Sequence, residues 1–115
     1  MNLFKRKPEL PPLLRLRVAV KTSDTVTLRE VLAANPELLN YQDEEGATPL
    51  HWAAEGQDLS VVAALVDLDA DRNIKDSLGY TPRDTAYWFG EFRMGAYTDV
   101  CQKIVQRLNE TDRIS

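Results

Sequence analysis

At 115 residues the chain is long enough for one compact domain but not for a catalytic domain beside a recognition domain. With 43% apolar and 28% charged residues it has the make-up of a folded chain, and no apolar run approaches the roughly 18 residues that would span a bilayer. The formal net charge of −4 is unevenly spread: residues 1–29 hold seven Lys or Arg and two acids, residues 30–71 ten acids and no Lys or Arg, and residues 72–115 seven bases and six acids. A centre of that sign repels phosphate backbones, which argues against nucleic acid as a ligand, and it attracts a basic protein surface.

The N-terminal MNLFKRKPELPP carries a basic cluster, but Pro8, Glu9, Pro11 and Pro12 stand where a signal peptide needs an apolar segment. Residues 1–12 therefore read as a flexible leader and the cytoplasm as the location. The single Cys101 cannot form an internal disulfide and lies far in sequence from the only histidine, which fits a reducing compartment.

Next comes LRLRVAV, Leu14 to Val20, which alternates like a strand and is assigned to a helix only through the register of the downstream repeat. Leu28, Val31 and Leu32 then mark the apolar face of a second helix. Further on, DEEGATPLHWAAEG (Asp43–Gly56) and DSLGYTPRDTAYWF (Asp76–Phe89) align at a spacing of 33 residues, with Asp, Gly, Thr-Pro and Ala in common. Gly46 and Gly79 permit the positive φ of a tight turn. Thr48 and Thr81 can cap a helix, and Pro49 and Pro82 suit its first turn. Val61, Val62, Leu65 and Val66 form one face of a following helix. Each unit is thus a turn and two helices.

Over the stretch from Asp43 to Asp76 the sequence resembles an ankyrin repeat: turn glycine, Thr-Pro-Leu-His (Thr48 to His51), Ala53-Ala54 and a closing Ala70-Asp71-Arg72-Asn73. Two glycines of the pattern are replaced, by Gln57 and Asp69. A weaker copy lies upstream. Another lies downstream, with Arg83 and Asp84 at the places of Leu50 and His51. The resemblance implies an all-α solenoid of about three helix-turn-helix repeats with β-turn fingers, at about 13–42, 43–75 and 76–108, followed by a tail at 109–115. About three stacked units are the minimum that buries a continuous core. Terminal units need a polar outer side, assigned to Arg15, Arg17 and Lys21 in the first helix. In the last helix it is assigned to Gln102, Lys103, Gln106 and Arg107, opposite Val100, Cys101, Ile104, Val105 and Leu108.

The third repeat departs from the pattern by six residues inserted between Tyr87 and Asp99, in a stretch with five of the nine aromatics. The insertion is expected to lengthen the first helix of that repeat to about Phe92 and to add the loop RMGAYT. Tyr87 is expected in the core, at the place of Ala54. Phe92, Met94 and Tyr97 are expected either to cap Trp88 and Phe89 or to leave them open.

No phosphate loop, nucleophile elbow or zinc spacing occurs. DLDADRN, Asp67 to Asn73, starts like an EF-hand loop but has Arg72 at the sixth position and Leu78 at the twelfth. His51 reads as structural. The chain is therefore expected to be no enzyme and to carry no metal or cofactor. The resemblance implies binding of another protein through finger tips (Glu44, Glu45, Ala47; Ser77, Leu78, Tyr80) and inner-helix ends (Glu55; Trp88, Phe89), with Trp52 and Thr85 half-buried beside them. The expected role is an adaptor or scaffold, monomeric rather than dimeric, without nucleic acid or membrane. The alternatives are an inhibitor or immunity protein that neutralises a basic toxin or enzyme, and a homodimeric structural protein joined through the C-terminal rings.

Overall fold

The computed structural model describes residues 10–90 and 99–109. The leader before Leu10, the loop RMGAYT with Phe92, Met94 and Tyr97, and the tail beyond Asn109 lie outside the described residues. Among those described there are six α-helices and no strand: α1 (Pro12–Lys21), α2 (Thr25–Ala34), α3 (Pro49–Glu55), α4 (Leu59–Asp67), α5 (Pro82–Trp88) and α6 (Asp99–Asn109), with a 3-10 turn at Pro36–Leu38. They pack as pairs, α1 on α2, α3 on α4 and α5 on α6. The first members form an inner layer in which α3 touches both α1 and α5, and the second members form an outer layer in which α4 touches both α2 and α6.

Local chemistry sets the helix boundaries. α3 and α5 begin alike, with a Thr N-cap whose hydroxyl accepts from the third helical N–H and a Pro in the first turn. The outer helices α2 and α4 start at Asp24 and Asp58, whose carboxylates accept from Thr27 N–H at 3.0 Å and Val61 N–H at 3.2 Å. The alternating LRLRVAV is helical because Leu16, Ala19 and Val20, spaced i, i+3 and i+4, are the residues that reach the core. Leu28, Val31, Leu50, Ala53, Ala54, Val61, Val62, Leu65 and Ile104 are each at most 1% exposed, which makes one continuous core through all three pairs.

The turn from inner to outer helix takes positive φ at Ser23 (60°) and Gln57 (55°), and the loop after α4 does so at Asp69 (71°). The two glycines missing from the repeat pattern are thus missing at positions that still adopt the left-handed conformation. Gln57 gains something in exchange: its side-chain amide donates to Ala54 O and, across the repeat boundary, to Ala86 O, both at 3.0 Å.

Several expectations need correction. Tyr87 is 49% exposed rather than core: among the described helices α5 has an inner-layer neighbour on one side only, whereas α3, with the buried Ala54, has one on both. Thr85 is buried rather than half-buried. Val100 is 43% exposed, so the buried row of α6 runs from Cys101 through Ile104 to Leu108. Leu10, just before α1, and Leu14 and Val18 on it are exposed, while Arg17 turns toward Trp52 of the next repeat. α5 is seven residues long, like α3, and is followed at Phe89 and Gly90 by a π-type turn; the expected continuation to about Phe92 lies outside the described residues.

Two finger glycines differ in what surrounds them. A Cβ on Gly46 would lie 2.9 Å from Ser77 N, whereas one on Gly79 would meet nothing within 4 Å. Gly46→Ala should therefore cost more stability than Gly79→Ala, the latter losing about 1 kcal/mol from its left-handed backbone alone, as urea unfolding of the two variants will measure. Conversely, Asp69→Gly should raise stability by about 0.5 kcal/mol, because the left-handed strain it relieves slightly exceeds the chain entropy it adds.

Candidate functional site

Each finger is built on an aspartate. Asp43 Oδ1 accepts from Glu45 N and Ala47 N, both at 2.9 Å, and Asp76 Oδ1 accepts from Leu78 N and Tyr80 N at 3.0 and 2.9 Å. The two fingers are joined by Ser77 N donating to Glu45 O at 2.9 Å. They are joined again through His51. Its Nδ1 accepts from Thr48 N at 3.0 Å, which leaves the hydrogen on Nε2 to donate to Tyr80 O at 2.8 Å.

Between these fingers and the inner helices α3 and α5 lies an open groove of about 420 Å³. It brings together eight of the ten residues expected at the surface: Glu45, Ala47, Glu55, Ser77, Leu78, Tyr80, Trp88 and Phe89. His51, Asp76 and Thr85 complete its lining. Leu78 is 76% and Trp88 46% exposed, and Phe89 is half-buried. No Lys or Arg is among the described residues that line it.

Of the other two expected residues, Trp52 faces a second groove, between α1 and α3, which Glu45 and Glu55 line as well, together with Arg17 and Lys21. Trp52, half-buried, lies under Arg17, whose guanidinium carbon is 4.2 Å from the ring centroid. The indole N–H of Trp52 donates to Asp43 Oδ2 at 3.0 Å, and Arg17 approaches the same carboxylate at 3.6 Å. Glu44 lies at the rim of that region with Arg17, Tyr41 and Asp43. Arg17 belongs to this surface although the sequence suggested only a solvated end; no local signal marks it, since stacking alone brings it to Trp52.

A family profile described as "Ankyrin repeats (many copies)" matches residues 31–86, and similarity to proteins carrying such repeats extends over most of the chain. The chain belongs to the ankyrin repeat family. It is 28% identical over 99 residues to "Putative ankyrin repeat protein FPV018" of Fowlpox virus, covering 86% of this chain and 14% of that protein. It is 36% identical over 86 residues to human "Diacylglycerol kinase iota", covering 73% of this chain and 8% of that one. A third match, 29% over 90 residues, is "NAD-capped RNA hydrolase NUDT12" of Macaca fascicularis, covering 78% and 20%. The chain thus spans a fifth or less of the length of these relatives. Ankyrin repeats generally mediate protein–protein interaction.

The charge of this ankyrin chain is redistributed by stacking. The acid block at 30–71 is met from outside: Arg17 pairs with Asp43, and Arg29 and Arg107 both reach Asp67. Among the described residues Glu44, Glu45 and Glu55, on the finger and the inner helix end, form no ion pair; of the ten acids of the block only Asp43 and Asp67 do. The loop that starts like a calcium site is tied up differently, with Asp71 N bonded to Asn40 and Asp71 Oδ1 to Asn73 N. Among the described residues no group of His, Cys, Asp or Glu is arranged to hold a metal, and no helix is long and apolar enough to cross a membrane.

Burial pushes the Asp43 carboxyl up, but the N–H groups of Ala47, Trp52 and Glu45 and the charge of Arg17 outweigh it and hold the group below its ordinary 3.8. A depressed carboxylate adds stability that is present above the unfolded value and is lost as pH falls through the folded one. Asp43→Asn should therefore be less stable at neutral pH yet lose less on acidification below about pH 4, as thermal melts at a series of pH values will show.

Proposed function

We propose that this ankyrin chain is a non-catalytic protein-binding module, an adaptor or scaffold, that grips a basic partner through the groove between its second and third repeats. The reading is carried by the grouping of exposed Leu78 and Trp88 with the carboxylates of Glu45 and Glu55 and with no Lys or Arg among the described lining residues. Apolar and aromatic groups at the centre of an interface supply most of its energy, and acids at its rim speed and orient the approach of a basic surface. Glu44 extends the same field along the finger tips.

The enzyme names among the relatives belong to proteins of which this chain matches a fifth or less. Here both ring nitrogens of His51 are engaged in structural bonds. That favours a binding role over acid–base chemistry. The same reading has the protein as a monomer in the cytoplasm; the buried Cys101, which is in no disulfide, fits a reducing compartment.

The test is a comparison of partner capture by the full chain and its variants. Replacing Glu44, Glu45 and Glu55 together by Lys should weaken partner affinity by at least about ten-fold and flatten its salt dependence. Trp88→Ala should weaken partner binding by more than the loss of stability alone explains, as binding measured well below the variant's melting temperature will show. Unchanged affinity and salt dependence in the triple variant would sink the proposal.

A further inference from the structure

The turn from α3 to α4 departs from the repeat pattern at a cost. Gln57 stands where the pattern has glycine and holds φ at 55°, a left-handed backbone that strains any residue with a side chain. Its Oε1 is buried with no hydrogen-bond partner among the described residues, which is a second penalty. Against these, the side-chain amide nitrogen donates to Ala54 O and to Ala86 O, each at 3.0 Å. One carbonyl belongs to the last turn of α3 and the other to the last turn of α5, so a single side chain bridges the two inner helices where they end.

The helix ends joined in this way carry Glu55, Trp88 and Phe89, which line the groove between the second and third repeats. On the finger side of the same groove, His51 Nε2 on Tyr80 O and Ser77 N on Glu45 O tie the two repeats together. Gln57 fastens the opposite side. The equivalent turn between α1 and α2 is also left-handed, at Ser23, but its hydroxyl bonds to Asp58 and Ser60 at the start of the next outer helix rather than to an inner-helix carbonyl. Packing around the bridge is close: Cys101 Sγ donates to the same Ala86 O at 3.3 Å, and a Cβ on Gly90 would lie 3.4 Å from Gln57 Oε1.

We propose that Gln57 is a positioning residue for the partner-binding groove, a role that rests on the protein-binding reading. Its amide fixes the spacing between the ends of α3 and α5, and with it the separation of Glu55 from Trp88 and Phe89, before a partner arrives. A groove whose walls are already set costs less ordering on binding. The strain and the unpaired acceptor, both penalties for the fold, are thereby spent on the geometry of the site.

The experiment reads amide hydrogen exchange in the full chain and in two variants. Gln57→Met keeps the length of the side chain and the strain of the turn but has no donor. Gln57→Gly removes the strain along with the side chain, so it guards against a variant that merely folds poorly. In both, the Phe89 amide, which donates to Ala86 O and Thr85 O, should exchange about five-fold faster relative to the core amides of Val62 and Leu65. The Ser77 amide on Glu45 O should keep its rate relative to them. Ser23→Gly, which relieves the same strain at the other turn, should leave the Phe89 ratio unchanged. The partner protein purified by capture on the full chain should bind both Gln57 variants about five-fold more weakly with its salt dependence intact, because geometry and not charge is lost. An unchanged Phe89 ratio, whether or not overall stability falls, or loosening in Gln57→Gly alone would overturn the bridge, and undiminished partner affinity would overturn its positioning role. The protein-binding reading survives each of those results; it falls instead if partner capture is indifferent to the Glu44/Glu45/Glu55 reversal.

Discussion

The bond from His51 Nε2 to Tyr80 O is the point on which the functional half of the molecule depends. The imidazole stands in the first turn of α3, where Thr48 N occupies its other nitrogen and so orients the ring and assigns the tautomer. The outward hydrogen then grips the finger of the next repeat. With Ser77 N on Glu45 O, it sets the two fingers side by side and so places Glu45 opposite Leu78 and Tyr80. At the corresponding place in the third repeat, Asp84 caps its own helix by accepting from Thr81 N at 3.1 Å. A carboxylate has no hydrogen to offer a further finger. Arg83, exposed and bonded to Asn109, likewise stands where Leu50 is buried.

Two grooves of the same architecture therefore differ in chemistry. The one beside α1 is closed electrostatically by Arg17, which satisfies Asp43 and covers Trp52. The one beside α5 shares Glu45 and Glu55 with it but has the side chains of Leu78 and Trp88 and no Lys or Arg among its described lining residues. In a solenoid each repeat contacts only its neighbours, so a middle repeat presents the same side chains to the boundaries on both of its sides. The Asp67 carboxylate on the outer layer shows the same economy in a structural role, drawing Arg29 and Arg107 from the repeats on either side.

Much of this was legible in the residues because it is local backbone chemistry. Turn glycines, Thr caps, prolines in first turns and aspartates at finger bases act within a few positions of themselves, and they recur where the repeat predicts. Eight of the ten expected surface residues meet in one groove for the same reason: a known turn and a known helix start determine which positions face the concave side. Tyr87 was misplaced because, among the described helices, α5 packs on one inner-layer neighbour where α3 packs on two. Val100, at the place of the buried Val61, is exposed, and burial in α6 begins with Cys101 instead.

By itself, then, the sequence determined the period, the helix starts, the finger turns and most of the core positions, whereas the left-handed backbone of Gln57 and Asp69 is seen only in the structure. Only the tertiary structure decided which charges are neutralised. Asp43 and Asp67 look no different in the sequence from Glu45 and Glu55, and the cations that reach the first two come from other repeats. Coulomb attraction acts through space and over a few ångströms, so pairing is set by which side chains the stacking brings within reach, a distance that residue order does not record.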